Sequence, residues 1–392
     1  MKIKSHWCWW LMAVGGTALL FYLIDLSRTK IPVYQGKTLY QWTAQLQQAQ
    51  KNYSDPNRSK TIQSAQTAIR AMGTNALPYV MADVMAQASF KDRVIFWLWK
   101  RAPFLKLQPT RVEDRWIRGT SALEVLGPAA KAYLPELLAW AKRNTGYSEA
   151  ALLAIGPDAL PVFTNLLSTS KYPRTGNLIG AFANAVYADR IKPTEAAAAL
   201  PSLAQVFRSP DGHGRWYAAQ AFGAVHQDPD LCVPLLIEGL TDPTPSVRQA
   251  CIESLGYFGE AASAHAEKLT AAFDNGDSMT RRAICGALAS FRSAETIAVP
   301  VLVRATQDTN ETVRIWAATG LGQLARLPDQ SIPALINATE DPSNTVRIMA
   351  LQSISQFGRS AANAIPVLEH ARSDPDSSVR SAATNALIRI GL

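Results

Sequence analysis

The sequence contains few cysteines and few charged residues. Its four cysteines are spread over 392 residues without a C-x-x-C pair, at positions 8, 232, 251 and 285. A disulfide framework and a structural zinc site are therefore not expected. Charged residues make up 18% of the chain and apolar residues 48%, whereas an average domain is about one quarter charged. These values predict a large buried core and exclude a disordered chain.

Catalytic and cofactor-binding motifs are also absent. No G-x-S-x-G, Walker or dinucleotide-binding glycine pattern occurs in the sequence. The histidines of the C-terminal half lack the spacing of metal ligands and fall at His213, His226, His265 and His370. Because no nucleophile, base and orienting residue group together, the sequence predicts a protein that is not an enzyme and needs no cofactor or metal.

Acidic residues are scarce in the first part of the chain only. Residues 1–145 carry 20 Lys and Arg against 8 Asp and Glu, whereas residues 146–392 carry 19 against 23. The net charge of +8 is therefore the sum of +12 and −4. Any attraction to polyanions belongs to the first part.

One long uncharged run is present, WCWWLMAVGGTALLFYLI at residues 7–24. Eighteen helical residues span about 27 Å, the thickness of a hydrocarbon core. The tryptophans at one end and Tyr22 at the other suit the two membrane interfaces. The run therefore predicts a single transmembrane helix and a cell-membrane location. The alternative is a cleaved signal peptide, but that would end in small residues rather than in FYLIDL.

The positive charges on the two sides of this helix nearly balance, so they do not by themselves fix its orientation. Lys2 and Lys4 precede the run, and Arg28, Lys30 and Lys37 follow it. Because the tail before the run is only six residues long, we expect a cytoplasmic N-terminus and the remaining chain outside the cytoplasm.

The chain divides into three predicted parts. Residues 1–36 form the anchor and a linker, residues 37–200 a capping helix and irregular repeats, and residues 201–392 a regular array. Thr38 and Gln41 have the spacing of a capping box, which predicts the start of the capping helix. The irregular repeats include the aligned strings AIRAMGTNALP and ALLAIGPDALP.

Basic and aromatic residues alternate in the irregular part, between positions 90 and 118. The residues expected to matter most are Lys91, Arg93, Trp97, Trp99, Lys100, Arg101 and Lys106. Such a mixture near a membrane span suggests contact with anionic lipid, or a nucleic-acid or partner surface. The structural alternative is a connection between repeats whose rings pack on the array.

The regular array repeats every 33 residues, most visibly at Arg215, Arg248, Arg281, Arg314, Arg347 and Arg380. The residue pattern within each copy predicts two helices. In one copy we expect Pro333 at the first turn of a short helix and a longer helix over residues 344–357, ended by Gly358. Cys251 takes the place of alanines in other copies, which predicts a small buried side chain.

The array resembles HEAT repeats, particularly the short bacterial kind named after phycobilisome lyases. The strings that carry the resemblance are DPTPSVRQACIESLGYFG, DPSNTVRIMALQSISQFG and DPDSSVRSAATNALIRIG. It implies an all-α fold, a right-handed α-solenoid of helix pairs, which here would follow the N-terminal transmembrane helix. It also implies a structural ladder of aspartates and arginines, which matches Asp242, Arg248, Arg281, Asp308, Arg314, Asp341, Arg347, Asp374 and Arg380. The N-terminal part is similar to a group of bacterial membrane-anchored HEAT-repeat proteins, which implies no particular activity.

The second helices also carry apolar residues where solvent-facing polar ones are expected. In the position after the repeated arginine, or next to it, lie Trp216, Tyr217, Arg282, Ile315, Trp316 and Ile348. Because second helices commonly line the concave face of such solenoids, we expect a partner-binding groove here. The alternative is that these side chains pack against adjacent repeats.

The sequence thus favours a non-catalytic, membrane-anchored scaffold that binds a protein partner. One alternative is a bilin-lyase-like protein that acts on a chromophore or cofactor, suggested by the repeat subtype. The other is a HEAT-type nucleic-acid-binding protein, which the acidic balance of the array argues against.

Overall fold

The protein is described by a computed structural model that covers residues 31–87, 90–101, 111–143, 148–168 and 175–391. A short antiparallel hairpin, β1 (Val33–Tyr34) and β2 (Lys37–Thr38), precedes the helices. The α-helices that follow within the described ranges are α1 (Leu39–Lys51), α2 (Arg58–Met72), α3 (Leu77–Val84), α4 (Phe90–Arg101), α5 (Val112–Leu126), α6 (Leu134–Arg143), α7 (Ser148–Leu153), α8 (Leu160–Ser168), α9 (Thr175–Tyr187), α10 (Pro193–Ala196), α11 (Leu200–Phe207), α12 (Gly212–Val225), α13 (Pro229–Glu238), α14 (Pro245–Phe258), α15 (Ala266–Asp274), α16 (Ser278–Leu288), α17 (Glu295–Ala305), α18 (Glu311–Leu324), α19 (Pro328–Ala338), α20 (Asn344–Ser355), α21 (Ile365–Ala371) and α22 (Ser377–Ile390).

The predicted membrane span at residues 7–24 lies outside the described residues. Within the described ranges, no single helix has both the length and the apolar composition needed to cross a bilayer. One pair, Ser278–Leu288 with Arg292–Ala305, meets these criteria only when joined, and it is bent by 103° at its break.

The chain forms two compact units, Met1–Val162 and Phe163–Leu392. In the first unit, α1 packs on α2 and α5, and α3 packs on α5. The predicted capping box is confirmed, because the Gln41 side chain accepts a hydrogen bond from the Thr38 N–H at 2.8 Å and the Gln41 N–H donates to Thr38 Oγ1 at 3.3 Å. Leu46 and Ile69 are fully buried in the core of this unit.

The second unit is built from two layers of helices. The second helices of the repeats each pack on the next, in the order α9, α12, α14, α16, α18, α20 and α22. We call these seven helices the second-helix layer. The first helices, α11, α13, α15, α17, α19 and α21, lie on one side of this layer. Each repeat thereby buries its apolar side against its neighbours, as a stacked array requires.

Small residues allow the second helices to approach closely. A Cβ atom on Gly223 would lie 2.6 Å from Ser254 Oγ on the next helix, and one on Gly322 would lie 2.5 Å from Ser353 Oγ. In each pair the glycine stands eight residues after its repeat arginine and the serine six residues after the next one. The spacing between neighbouring second helices therefore depends on side-chain size at these two positions.

The prediction for the first helix around Pro333 was wrong. The helix begins at Pro328, so Pro333 lies in its interior, and Pro300 likewise lies inside α17. Because proline has no N–H, each of these helices lacks one backbone hydrogen bond at its interior proline and nevertheless continues past it. In α19 the favourable first position is taken by Pro328. The second helix of the same repeat begins at Asn344 as predicted and ends at Ser355, before Gly358.

The three cysteines of the array are free and buried, which confirms the prediction for Cys251. Burial raises the pKa of Cys232 and of Cys285 to about 12. These thiols are therefore protonated at neutral pH and serve as packing residues.

Candidate partner-binding face

Four arginine–aspartate pairs join consecutive repeats of the array. The Nε and Nη2 atoms of Arg215 donate to the two carboxylate oxygens of Asp242 at 2.7 and 3.1 Å. The same two-bond arrangement joins Arg281 to Asp308, Arg314 to Asp341 and Arg347 to Asp374. In each pair the aspartate follows the arginine by 27 residues, so the bond connects one repeat to the next.

Each ladder arginine also holds its own turn. Arg314 Nη1 donates to the carbonyl oxygens of Asp308 at 2.9 Å and Thr309 at 3.2 Å, and Arg215, Arg347 and Arg380 make similar pairs of contacts. These bonds satisfy carbonyl groups that helix ends leave unpaired. In Arg215, Arg314 and Arg347, the Nε, Nη1 and Nη2 atoms are thereby all bonded within the array.

The ladder has a gap at Asn275, which stands where other repeats have the turn aspartate. In the described residues Arg248 bonds only to the carbonyl oxygens of Asp242 and Pro243, at 2.7 and 3.2 Å. An amide cannot replace the charged acceptor, so this step between repeats lacks a two-bond ion pair.

The pairing lowers the pKa of three ladder aspartates, Asp242, Asp308 and Asp374. Hydrogen bonds from Arg347 lower the pKa of Asp374, against a smaller opposing effect of burial. Burial alone would raise the pKa of Asp308, but bonds from Arg281 and the Asn310 N–H outweigh it and the pKa is lowered. The carboxylates are therefore ionised under neutral conditions and act as structural acceptors.

An aromatic cluster lies at the start of the second-helix layer. The ring centroid of Tyr217 lies 4.5 Å from that of Trp216 and 4.9 Å from that of His213. Tyr217 leans onto α9, where a Cβ on Gly176 or Gly180 would come within 2.8 Å of its ring. For Tyr217 the alternative reading, packing against the adjacent repeat, is therefore the one the structure supports. Trp216 instead borders a depression of about 380 Å³ that also includes Gly212, His213, Thr244 and Ser246.

A second group spans three consecutive second helices. Arg282 on α16 donates to Glu253 on α14 at 2.6 Å, and its guanidinium lies 5.7 Å from the ring of Trp316 on α18. Trp316 is 39% exposed and its ring lies over Gly286. Arg282 Nε is buried and has no hydrogen-bond partner among the described residues. The group places an exposed indole beside a guanidinium that is paired with Glu253.

Ile315 and Ile348 occupy equivalent positions on neighbouring helices, α18 and α20, and both are half-buried. The structure brings the predicted residues together as two local groups, Trp216 with Tyr217 and Arg282 with Trp316. All of them belong to helices of the second-helix layer, and we call the surface around them the second-helix face.

Sequence reasoning missed two tyrosines of this face. Tyr257 on α14 and Tyr187 on α9 are more than half exposed. Burial of its hydroxyl raises the pKa of Tyr187 to about 12, and a hydrogen bond with Tyr257 adds to this effect. Tyr257 stands nine residues after its repeat arginine, a solvent-facing position in the helical period that could have been searched for aromatic residues.

The basic and aromatic residues between positions 90 and 118 occupy two different environments in the first unit. In α5, Arg115 and Arg118 pair with the buried Asp83 at 3.1 and 2.6 Å, and Trp116 Nε1 donates to the carbonyl oxygen of Ala86. This half of the segment is structural. In contrast, α4 carries Lys91, and it exposes Arg93, Trp97, Trp99, Lys100 and Arg101. Lys106 lies outside the described residues.

Comparisons with known proteins concern mainly the array. Residues 200–266, 266–329 and 299–388 each match the sequence model described as HEAT repeats. No curated protein matches the chain. Within the described ranges, no group of three or more His, Cys, Asp or Glu side chains could hold a metal ion.

Solved structures of similar fold have low sequence identity. A mutant of the karyopherin Kap121p is similar over 93% of this chain and 46% of its own, with 15% identity and a TM-score of 0.53. Kap121p bound to the extreme C-terminus of the protein phosphatase Cdc14p is similar over 92% of this chain and 46% of its own, with 15% identity and the same TM-score of 0.53. The complex of CpcE and CpcF of phycocyanin lyase from Nostoc sp. PCC7120 is similar over 59% of this chain and 94% of its own, with 20% identity and a TM-score of 0.39.

Proposed function

The chain is a HEAT-repeat protein, and from this premise we propose that it is a non-catalytic scaffold, anchored in the cell membrane, that binds a protein partner on the second-helix face. The observation that carries the proposal is the pair of aromatic groups on this layer: half-buried Trp216 beside a surface depression, and exposed Trp316 beside Arg282. Aromatic residues and arginine are the residue types enriched at binding hot spots.

The charges of this face favour a protein over a nucleic acid as partner. Arg282 is paired with Glu253 and the ladder arginines are paired with aspartates or turn carbonyls. Few cations therefore remain free on this face to neutralise phosphates. A partner segment with apolar side chains fits the depression beside Trp216.

A karyopherin of similar fold has been solved with the C-terminus of a phosphatase bound. That complex supports proposing a peptide segment as the occupant of the face, although at 15% identity the likeness itself concerns the fold.

The non-catalytic part of the proposal rests on the environment of the thiols and carboxylates of the array. The cysteines of the array are buried with raised pKa values, and the ladder carboxylates accept bonds from arginine. The membrane part rests on the apolar run at residues 7–24, with the repeats placed outside the cytoplasm. Contact of the basic aromatic segment with anionic lipid belongs to the same membrane part.

The test is affinity capture of the full-length protein from detergent extracts. We compare the wild type with the triple variant Trp216→Ala, Ile315→Ala, Ile348→Ala. The matched control alters exposed residues of the first helices: Gln205→Ala, Thr296→Ala, Asn337→Ala. Because truncation of hot-spot residues costs about 2 kcal/mol or more each, we expect recovery of the partner to fall by at least about tenfold for the face variant only. Equal recovery by all three proteins, with matching thermal unfolding curves, contradicts the proposal.

A further inference from the structure

The helix α4 differs from the other long helices in the described part of the chain in the way it is exposed. Phe96, Trp97 and Trp99 are 40%, 48% and 43% exposed, and no α4 side chain with a described environment is buried. Large aromatic side chains are normally the first to be buried in a core. Three exposed rings on one short helix therefore indicate a surface that contacts something else.

Five of the exposed residues of α4 form one continuous stripe, and the exposed Trp99 falls outside it. Arg93, Phe96, Trp97, Lys100 and Arg101 follow the spacing i, i+3, i+4, i+7 and i+8, which places them on one side of the helix. The stripe holds three cations and two rings, and its single acidic neighbour, Asp92, falls outside this spacing.

The cations of the stripe are placed over the rings. Lys100 Nζ lies 4.9 Å from the centroid of Phe96, and the guanidinium of Arg101 lies 5.5 Å from that of Trp97. Among the described residues, neither cation forms an ion pair with a carboxylate. Their charges thus remain available to an external anion.

We propose that α4 lies in the headgroup region of an anionic bilayer, with its rings at the level of the glycerol backbone and its cations on lipid phosphates. Amphipathic rings settle at this depth, and long basic side chains extend from it to the phosphates. The proposal rests on the proposed membrane anchoring, because the span at residues 7–24 would hold α4 close to the bilayer.

The ring contacts favour lipid over nucleic acid. A base needs an open ring face to stack on, and one face of Phe96 and one face of Trp97 already carry Lys100 and Arg101. Insertion among lipid headgroups uses ring edges and leaves these cation–ring pairs in place. The excess of basic residues over residues 1–145 gives the whole region the charge that an anionic leaflet attracts.

The test uses the full-length protein carrying a fluorophore at position 97, as Trp97→Cys with Cys8→Ser. The remaining cysteines are buried with raised pKa values, so the label stays at the chosen site. A matched protein carries the label at Ile388→Cys, which is exposed in the second unit. Both are mixed with vesicles of phosphatidylcholine, with or without phosphatidylglycerol, that contain a lipid-borne quencher.

We expect quenching of the label at 97, several-fold stronger with phosphatidylglycerol, and none at 388. The added changes Arg93→Glu, Lys100→Glu and Arg101→Glu should remove most of this quenching. Equal quenching in both vesicle types, no quenching at 97, or a response to an oligonucleotide in place of vesicles overturns the inference.

Flotation of the same samples separates this inference from the anchor. A protein that floats with both vesicle types while position 97 stays unquenched is anchored, and the inference for α4 is then wrong. Quenching at 97 by phosphatidylglycerol vesicles, without flotation on phosphatidylcholine alone, supports the role of α4 and contradicts the anchor.

Discussion

At the residue scale, the repeated arginine joins one repeat to the next. The sequence predicted that its partner is a turn aspartate but did not show which aspartate. The 33-residue period identifies the residues, and the family resemblance implies pairing with a turn aspartate. Two arginines stand near each aspartate, one 27 residues before it and one six residues after it. The structure selects the earlier arginine because Nη1 of the later one is already bound to carbonyl groups of its own turn, which leaves only Nε and Nη2 free for the next repeat.

This geometry predicts the effect of removing one ladder carboxylate. Asp308→Ala leaves Arg281 largely buried without its acceptor, and breaking a buried pair in this way costs about 3 kcal/mol. The measurement is equilibrium unfolding of the full chain in detergent, followed by hydrogen exchange at the amides of α16 and α18.

Asn275→Ala is the matched control, because that position contributes no ion pair and should cost less than about 1 kcal/mol. Equal destabilisation by the two changes would show that the ladder adds no stability of its own.

At the element scale, the helical period predicts the buried side of each second helix. This period places Ala317, Leu321 and Leu324 on one side of α18, and all three are buried. The small-residue pairs between neighbouring second helices were not predicted, because the period of one helix does not show which of its residues face the next helix. Once the pairs are known, the glycines eight residues after an arginine are visible in the sequence.

The pair Gly322 and Ser353 gives a direct test at this scale. Gly322→Ala gains about 1 kcal/mol of helix propensity, but its Cβ would lie 2.8 Å from the Ser353 Cα atom and 2.6 Å from its Cβ. Because a backbone atom cannot move away as a flexible side chain can, we expect net destabilisation of about 1–2 kcal/mol.

The neighbouring exposed residue supplies the control, and Gln323→Ala should change the melting temperature little. A Gly322→Ala protein that melts at or above the wild-type temperature would mean that α18 and α20 tolerate a wider separation.

At the scale of the whole molecule, the sequence showed the array more clearly than it showed the first unit. The array is periodic, so each copy supports the assignment of the next. In the first unit, the same basic and aromatic composition serves two purposes: Arg118 pairs with a buried aspartate, whereas Arg101 remains exposed. Composition alone cannot separate these roles, because they depend on whether an acidic group from another helix lies opposite.

Residue type alone also could not separate binding residues from packing residues on the second-helix face. The sequence identified Trp216, Ile315 and Trp316 as exceptions to a polar pattern, but Tyr217 looked equivalent and is used for packing on α9. The difference arises from Gly176 and Gly180, which leave room for its ring and lie outside the regular array. A residue that departs from the repeat pattern is therefore a candidate for function only where the neighbouring helix does not cover its side chain.

The central claim is that the second-helix face binds a protein, and site-specific photo-crosslinking in intact membranes tests it most directly. A photoreactive residue at Ile315 or Ile348 should yield one discrete crosslinked species that includes a second protein. The same residue at Asn337, exposed on a first helix, should yield none. Crosslinks that form equally from Asn337, or no crosslink from either position on the second-helix face, would contradict the claim.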